Sequence, residues 1–390
     1  MSSMTCSSAA EAAPVGRPLR LVITNTSCSW GGMEHYAVQL AAGLQRRGHA
    51  VTLLWGHDAV GERATAAGLP NARWRTLGDA DLAAVVALAA TLRRARADAV
   101  ILTKWREYLL GGVAARLAGT PLAVVALGLR VTPRGDFKRR LSFGLAGCVL
   151  VNAEEIRVVL DTVPWIAAGK VRVVHNGVDL AAFRPGGDGG LLRERWGVPA
   201  QAPLAVAVGS LTSQKDHDLL ARSAARLRER LPEARIAVVG EGALRPALEA
   251  RVRALELGDR FLLPGFLPDV RPALAAADLL VLSSNNEGMA WVLLEALACG
   301  LPIVATDVPG VRSCVEPGHN GLIVPPRDEA ALADALAALL GDPARRRAMG
   351  ARSRELAMSR FAESGMLAGT EAVLREALAA RPRMLRSARP

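Results

Sequence analysis

The order of hydrophobic and polar positions along the chain predicts an α/β protein. Short runs of β-branched and other apolar residues alternate with segments whose apolar residues recur at helical spacing. Strands and helices that alternate in this way form βαβ units and therefore parallel sheets. The first half has predicted strands at 19–26, 51–55, 99–103, 122–127, 148–151 and 171–175. The second half has them at 204–209, 235–240, 261–263, 279–283, 302–306 and 321–324.

The strand pattern divides the chain into two such units. Its 390 residues are too many for one ordinary domain and suit two of about 180 residues each. We expect two Rossmann-like, doubly wound parallel-sheet domains facing a central cleft, with ligands at the carboxyl ends of the strands. The predicted parts are a disordered tail (1–18), an N-terminal acceptor domain (19–182), a linker (183–199), a C-terminal nucleotide-binding domain (200–355), a helix that crosses back to the N-terminal domain (356–380) and a basic tail (381–390).

Composition and charge narrow the possible partners. A net charge of +11 suits nucleic acid, an anionic membrane surface or acidic substrates. Basic residues are not interleaved with base-stacking aromatic residues, so we expect no nucleic-acid partner. The five cysteines show no C-x-x-C spacing, which predicts reduced thiols and no zinc site. Without a signal-peptide pattern or a long apolar stretch, we expect a cytoplasmic protein, peripheral on the inner face of the plasma membrane if it touches one.

The segment from Ser284 to Pro302 carries the most specific chemistry and reads S-N-N-E-G-M-A-W-V-L-L-E-A-L-A-C-G-L-P. A predicted strand ends before it, and a helix is predicted from about 290 to 299, closed by Gly300. Glu287 and Glu295 stand eight residues apart, about 12 Å along a helix axis at ~1.5 Å per residue. A helix N-terminus between them would suit a diphosphate.

The two carboxylates therefore match an extended nucleotide sugar. Glu287 would accept hydrogen bonds from sugar hydroxyls, and Glu295 from the ribose hydroxyls of the nucleotide. The alternative is an acidic residue at a helix start followed by a solvated glutamate.

A glycine-containing turn follows the first predicted strand of each domain. Amides from Gly209 onward and the Lys215 ammonium can meet diphosphate oxygens, where a cation stabilises charge on a leaving group. Lys215 is notable because only four of the 48 basic residues are lysines. The pair Gly31-Gly32 would let the backbone approach a β-phosphate across the cleft, or form only a tight turn.

These motifs resemble those of the family 4 glycosyltransferases, whose hallmark is E-x7-E within the longer pattern above. G-G-M-E (31–34), H-N-G-V-D (175–179), G-S-L-T-S-Q-K (209–215) and N-G-L-I-V-P-P (320–326) are similar to further runs of that family, in the same order. The resemblance implies the GT-B architecture. It also implies a retaining, metal-independent transferase that breaks the bond between sugar C1 and the β-phosphate of a nucleotide-diphosphate sugar.

The predicted site residues form a catalytic set and a donor-binding set. The catalytic set is Glu287, Lys215 and Arg130. The donor-binding set is Gly31, Gly32, Gly209, Ser210, Lys215, Gly240, Phe266, Glu287, Gly288, Met289, Ala290 and Glu295. We expect no cofactor and no metal, because the D-x-D triplets at 79–81 and 216–218 begin predicted helices, where aspartate acts as an N-cap.

Three positions depart from the family pattern. Ser210 stands where the family has arginine, so we predict that Lys215 is the main cation at the diphosphate, with Arg312 as the alternative. Val311-Arg312 follows Gly310 where the family often has Pro-Glu. Arg130 lies where the family has a catalytic-region histidine. Arg130, with Lys104 and Arg106, is predicted to contact an anionic sugar or acceptor.

The segment 130–143, R-V-T-P-R-G-D-F-K-R-R-L-S-F, mixes basic and large apolar residues. Such a segment can lie on an anionic bilayer or form an ordinary helix with its apolar side in the core, and the sequence leaves both open. Bilayer contact would favour a lipid-linked or polysaccharide precursor of the cell envelope as acceptor. The expected partners are thus a nucleotide-diphosphate sugar, a carbohydrate or lipid-linked acceptor and an anionic membrane surface.

Two other functions fit the same architecture. A nucleotide-sugar epimerase is disfavoured because E-x7-E resembles the transferases. A non-catalytic sugar-binding scaffold is suggested by Ser210 and the missing histidine. The presence of Glu287, Glu295 and Lys215 together disfavours it.

Overall fold

The computed structural model describes residues 16–27, 30–129, 133 and 135–380. The strands are β1 (Arg20–Asn25), β2 (Ala50–Trp55), β3 (Asn71–Arg73), β4 (Ala99–Leu102), β5 (Leu122–Leu127), β6 (Cys148–Val151), β7 (Val171–Val173), β8 (Leu204–Val208), β9 (Arg235–Val239), β10 (Phe261–Gly265), β11 (Leu279–Leu282), β12 (Ile303–Thr306) and β13 (Gly321–Val324).

Helices connect these strands throughout. They are α1 (Gly32–Arg46), α2 (Asp58–Ala66), α3 (Leu82–Arg94), α4 (Trp105–Ala118), α5 (Phe137–Leu145), α6 (Glu154–Asp161), α7 (Gly190–Arg195), α8 (His217–Arg230), α9 (Arg245–Ala254), α10 (Arg271–Ala276), α11 (Trp291–Ala298), α12 (Val311–Cys314), α13 (Glu329–Leu340), α14 (Pro343–Arg360) and α15 (Glu363–Ala379). None of the helices that the structure describes is long and apolar enough to span a bilayer.

The strands form two parallel sheets. The N-terminal sheet has the order β3-β2-β1-β4-β5-β6-β7, and the C-terminal sheet has the order β10-β9-β8-β11-β12-β13. In each sheet the first strand lies in the interior and the chain order reverses beside it, between β1 and β4 and between β8 and β11. Ligands bind at such switch points. The predicted doubly wound α/β architecture is confirmed.

The twelve predicted strands all occur, and their ends differ from the prediction by at most two residues. Strand β5 is buried at all six positions because helices cover both faces of the sheet. The prediction missed β3, an edge strand of three residues. Its sequence, Asn-Ala-Arg, has no apolar pattern, and its last two residues are exposed.

Helix α15 packs on the N-terminal domain although it follows the C-terminal one. Leu367 is buried with α1, and Arg47 Nη2 lies 2.9 Å from Glu371 Oε2 in a buried ion pair. The segment 356–380 is not the single helix that the sequence suggested. Phe361 is buried in the C-terminal domain and Val178 N donates to its carbonyl oxygen at 2.8 Å, so α14 ends there.

Candidate active site

Glycines gather at the carboxyl edge of the C-terminal sheet. Gly209 follows β8 and donates to Val239 O at 3.0 Å, and Gly240 follows β9 and donates to Gly265 O at 2.9 Å. Gly240 has φ +153°, and a Cβ there would lie 1.9 Å from Gly209 O, so only glycine fits. Phe266, the residue after β10, is 56% exposed. The structure thus brings the ends of three strands together at one edge.

A partly buried ion pair joins two of the predicted catalytic residues. Lys215 Nζ donates to Glu287 Oε1 at 2.5 Å, although the residues are 72 positions apart. Ser284 Oγ donates to the same oxygen at 2.7 Å, and Gln214 Nε2 reaches Glu287 Oε2 at 3.4 Å. The sequence analysis had assigned Glu287 to the sugar and Lys215 to the diphosphate. Their contact places both groups at one point.

Lys215 also contacts the glycine turn at the end of β8. A Cβ on Gly209 would lie 3.1 Å from Lys215 Cε, so the lysine side chain passes directly over this glycine. The adjacent Ser210 is exposed. The ammonium therefore lies between the Gly209 turn and the Glu287 carboxylate.

Glu295 lies on α11 and is almost fully buried. Burial, and secondarily the negative charge of Asp269, raises its pKa to about 7. Among the described residues, no side chain or amide donates a hydrogen bond to its carboxylate. A buried acceptor of this kind is suited to hydroxyl donors from a ligand.

The helix-based estimate of the separation between the two glutamates was wrong. Helix α11 begins at Trp291, so Glu287 to Ala290 form the loop before it and only Glu295 is helical. The helical rise per residue therefore applies only from Trp291 to Glu295, which is half of the interval between Glu287 and Glu295. Gly288, Met289 and Ala290 lead into the N-terminus of α11.

Glu295 is expected to make the folded protein less stable as the pH rises. Because its folded-state pKa is raised from 4.5 to about 7, it contributes stability below pH 4.5 that is lost as the pH passes through 7. We expect Glu295→Gln to unfold at higher urea concentration than wild type at pH 8, by about 3 kcal/mol in unfolding free energy, with little difference at pH 4.5. An equal difference at both pH values would contradict this assignment.

The two domains touch across the cleft at residues 284–302, which we call the donor motif. A Cβ on Gly288 would lie 1.7 Å from Gly128 O of the N-terminal domain; within the C-terminal domain, a Cβ on Gly310 would lie 1.7 Å from Gly288 O. Asn176 Nδ2 donates to Met289 O at 3.2 Å, and Trp291 Nε1 donates to Gly32 O at 3.0 Å.

These contacts define a closed cleft. They bring the predicted Gly31-Gly32 turn, which begins α1, against the start of α11. The donor motif is therefore enclosed by main chain from both domains.

The other predicted cations are already engaged or lie elsewhere. Lys104 forms an ion pair with the buried carboxylate of Glu34. Arg312 donates to Asp307 Oδ1 and Oδ2 at 2.8 and 2.6 Å and is exposed. Arg106 is exposed, and Arg130 lies outside the described residues. Of these predicted cations, the structure places Lys215 at the donor motif.

Both D-x-D triplets have the predicted helix-start roles. Asp81 caps α3 by accepting from Ala84 N at 2.9 Å, and Asp216 caps α8 by accepting from Leu219 N at 3.3 Å. In the part of the chain that the structure describes, no cluster of three metal-ligating side chains occurs.

The sequence analysis missed a buried carboxylate that supports the N-terminal side of the cleft. Glu107 accepts from Thr24 Oγ1 at 2.7 Å, Thr103 N at 2.8 Å and Thr26 N, and so ties the loops after β1 and β4 together. Burial raises its pKa. Ser284, Gln214, Asn176 and Gly128 were also given no role. Ser284, Gln214 and Asn176 lie inside motifs that the sequence analysis singled out, whereas Gly128 lies outside them.

Two family models match consecutive parts of the chain. The model described as Glycosyltransferase Family 4 matches residues 30–182, and that described as Glycosyl transferases group 1 matches residues 190–356. Together they span both domains and the whole cleft.

Similar proteins agree with these matches. A D-inositol 3-phosphate glycosyltransferase of Kribbella flavida is 38% identical over 213 residues, which are 52% of this chain and 50% of the relative. An alpha-D-kanosaminyltransferase of Streptomyces kanamyceticus is 33% identical over 44% of this chain and 45% of its own length. The matched segments thus span about half the length of these curated relatives.

Solved structures share the architecture. Anabaena HepE in complex with UDP superposes with a TM-score of 0.82 at 20% identity, over 92% of this chain and 100% of that one. Sucrose-phosphate synthase from Thermosynechococcus elongatus has a TM-score of 0.77 at 23% identity, over 93% of this chain and all of that one. The fold is that of the GT-B glycosyltransferases, and the chain belongs to the family 4 glycosyltransferases.

Proposed function

We propose that this protein is a retaining glycosyltransferase that moves a sugar from a nucleotide-diphosphate sugar to a hydroxyl of an acceptor held by the N-terminal domain. One observation carries the proposal. The Lys215–Glu287 ion pair lies between the Gly209 turn and the loop before α11, at the switch point of the C-terminal sheet, where Gly128 of the N-terminal domain also contacts this loop.

Each residue has a distinct part in the donor site. Glu295 accepts from the ribose hydroxyls, and the amides at the start of α11 with those after Gly209 meet the diphosphate. Glu287 exchanges its contact with Lys215 for the sugar hydroxyls. Lys215 then stabilises the negative charge on the departing diphosphate, and such electrostatic stabilisation of developing charge usually contributes most to the rate enhancement of an enzyme.

The reaction that fits this site exchanges one bond for another at sugar C1. The bond between C1 and the β-phosphate oxygen breaks, and the acceptor oxygen bonds to C1. Retention requires the acceptor to arrive on the face from which the diphosphate leaves. The hydroxyl proton can then pass to the departing phosphate, so no metal or redox partner enters the balance.

The substrates are proposed from two sources. UDP and UDP-glucose occur in the names of the HepE complexes, and they support a uridine nucleotide sugar as the first donor to test. A lipid-linked or polysaccharide precursor of the cell envelope is the acceptor that the basic, partly apolar α5 supports. The relatives named for D-inositol 3-phosphate add a phosphorylated polyol to the panel.

A panel of donors and acceptors tests the function. Purified protein should release nucleoside diphosphate from one nucleotide sugar faster with an acceptor present, and NMR of the product should show the anomeric configuration of the donor retained. Conversion of the donor to its epimer without acceptor would indicate the epimerase. Tight donor binding without release would indicate a sugar-binding scaffold.

We expect transfer to survive removal of divalent cations. Helix amides and Lys215 meet the diphosphate in this proposal. One aspartate of each D-x-D triplet is occupied as an N-cap, and the other forms an ion pair with a basic side chain. Turnover in excess EDTA should stay within about two-fold of the untreated enzyme, an effect below 1 kcal/mol. Complete loss that Mg²⁺ or Mn²⁺ restores would contradict this mechanism.

A further inference from the structure

Large apolar side chains are exposed at one edge of the N-terminal domain. Leu77 is 95% exposed, Leu82 77% and Phe137 80%, and Val86 and Leu141 are also exposed. Single exposed leucines are ordinary on protein surfaces, but several that lie together mark an interaction site. We call these five residues the α3–α5 apolar edge.

The fold explains why these residues lie together. In a parallel sheet every helix that follows a strand starts at the carboxyl edge, so α3, α4 and α5 begin at the same edge, and α4 packs between the other two. Leu82 and Phe137 are the first residues of α3 and α5. An ion pair between Lys138 and Asp79 joins the start of α5 to the segment before α3. Leu77, Leu82 and Phe137 therefore belong to one continuous surface.

Helix α5 has apolar residues on two sides. Phe143 is buried against Tyr108 and Trp165 in the domain core. Phe137 and Leu141, spaced four residues apart, lie on a shared face that stays exposed. The core therefore accounts for Phe143 but leaves the outer pair without a packing role.

The charges around the α3–α5 apolar edge are mainly positive. Its described basic residues are Arg75, Arg106, Lys138, Arg139 and Arg140. The nearby aspartates offset part of this charge: Asp79 pairs with Lys138 and Asp136 with Arg139, while Asp81 caps α3. Arg106 and Arg140 are exposed. Exposed apolar tips beside exposed positive charge match the layers of an anionic bilayer, which has acidic headgroups above hydrocarbon.

We propose that the α3–α5 apolar edge docks the protein on an anionic lipid bilayer, with Leu77, Leu82 and Phe137 inserted and the basic residues at the headgroups. The α3–α5 apolar edge and the cleft both lie at the carboxyl ends of the N-terminal strands. An ion pair links the two regions, because Lys104, just before α4, contacts Glu34 in the first turn of α1. Docking there turns the cleft mouth toward the membrane. The resulting access for a lipid-linked acceptor rests on the proposed function, whereas the docking itself does not.

Vesicle co-sedimentation with the full chain tests the surface. The probes are vesicles of phosphatidylcholine alone and of phosphatidylcholine with about 30% phosphatidylglycerol, which supplies the anionic headgroups. Wild-type protein should bind the anionic vesicles and lose most of this binding in about 1 M salt, where the screening length is about 3 Å. Absence of binding to the anionic vesicles would overturn the proposal.

Matched variants distinguish binding through the α3–α5 apolar edge from nonspecific adsorption to vesicles. Leu82→Ser with Phe137→Ser should weaken binding about ten-fold or more, because both inserted side chains are lost. Arg140→Gln should weaken it about five-fold, the equivalent of about 1 kcal/mol. The control is Leu191→Ser on α7 of the C-terminal domain, which is as exposed as Leu82, at 77%. It should bind as wild type does.

Two further readouts separate bilayer docking from misfolding and from self-association. All variants should retain wild-type thermal unfolding and wild-type donor hydrolysis without vesicles, because the changed residues are exposed and outside the cleft. Unchanged vesicle binding by the Leu82/Phe137 variant would overturn the proposal. So would a concentration-dependent dimer that this variant abolishes, because the edge would then be an interface between copies of the chain.

Discussion

A Lys215→Ala enzyme is expected to turn over about 10²- to 10³-fold more slowly than wild type. Lys215 Nζ lies 2.5 Å from Glu287 Oε1, and Ser210 stands where an arginine would share the negative charge of the leaving diphosphate. Arg312, the alternative predicted for this role, is held by Asp307. In the proposed mechanism, transition-state stabilisation therefore depends on Lys215. Turnover at saturating donor measures the effect.

Loss of Lys215 also affects folding, so turnover must be separated from stability. Among the described residues, Lys215→Ala leaves the buried Glu287 carboxylate with only Ser284 and the distant Gln214 as partners. Removing one member of a fully buried pair costs about 3–5 kcal/mol, and this partly buried pair should cost less. The matched control is Lys215→Met with Glu287→Gln, which removes the unpaired charge. This double variant should regain most of the thermal stability but little of the turnover.

Ser210 offers a gain-of-function check on the same assignment. If position 210 lies beside the diphosphate, Lys215→Ala with Ser210→Arg should recover part of the lost turnover, because an arginine can bind two phosphate oxygens at once. Ser210 is exposed and has space for the longer side chain. Near wild-type turnover in Lys215→Ala alone would contradict the role of Lys215, and Arg312 would be the next candidate.

The sequence was most informative where local pattern decides structure. Fully buried strands such as β5 appear as unbroken apolar runs, because helices cover both of their faces. Gly300, with φ +72°, ends the α11 region as its position predicted, because glycine adopts this conformation without strain. Asp81 and Asp216 cap helices for reasons that are equally local.

The sequence was least informative about contacts between distant segments. No local rule indicates that Lys215 pairs with Glu287 or Lys104 with Glu34. The sheet order brings these residues together, and only coordinates show that an expected cation is neutralised. The same holds for Glu107, which looks like an ordinary glutamate in the first turn of a helix yet is fully buried beneath two loops.

The cleft contacts give a prediction of comparable size at a residue that carries no charge. Gly288→Ala is expected to lower turnover by at least about 10²-fold, the effect of a misplacement of about 1 Å in a reacting group. Its Cβ would lie 1.7 Å from Gly128 O and 2.8 Å from Gly128 C. Both atoms are main chain of the opposite domain, so the cleft must open to accommodate the methyl group. Gly288 is not in the left-handed region, so alanine brings no backbone strain of its own.

Gly128→Ala is the matched control, because it adds the same methyl group from the other side of the cleft. Its Cβ would meet Met33 Sδ at 2.6 Å, and a methionine side chain can move aside. We expect turnover within about ten-fold of wild type, which corresponds to a rise in activation free energy of at most ~1.4 kcal/mol. Gly288→Ala should still bind free nucleotide with nearly wild-type affinity, because the proposed nucleotide contacts belong to the C-terminal domain, and should unfold at the wild-type temperature. Equal turnover in the two alanine variants would mean that closure over Gly288 is not required for the reaction, whereas selective loss in Gly288→Ala would identify this contact as the one that completes the site.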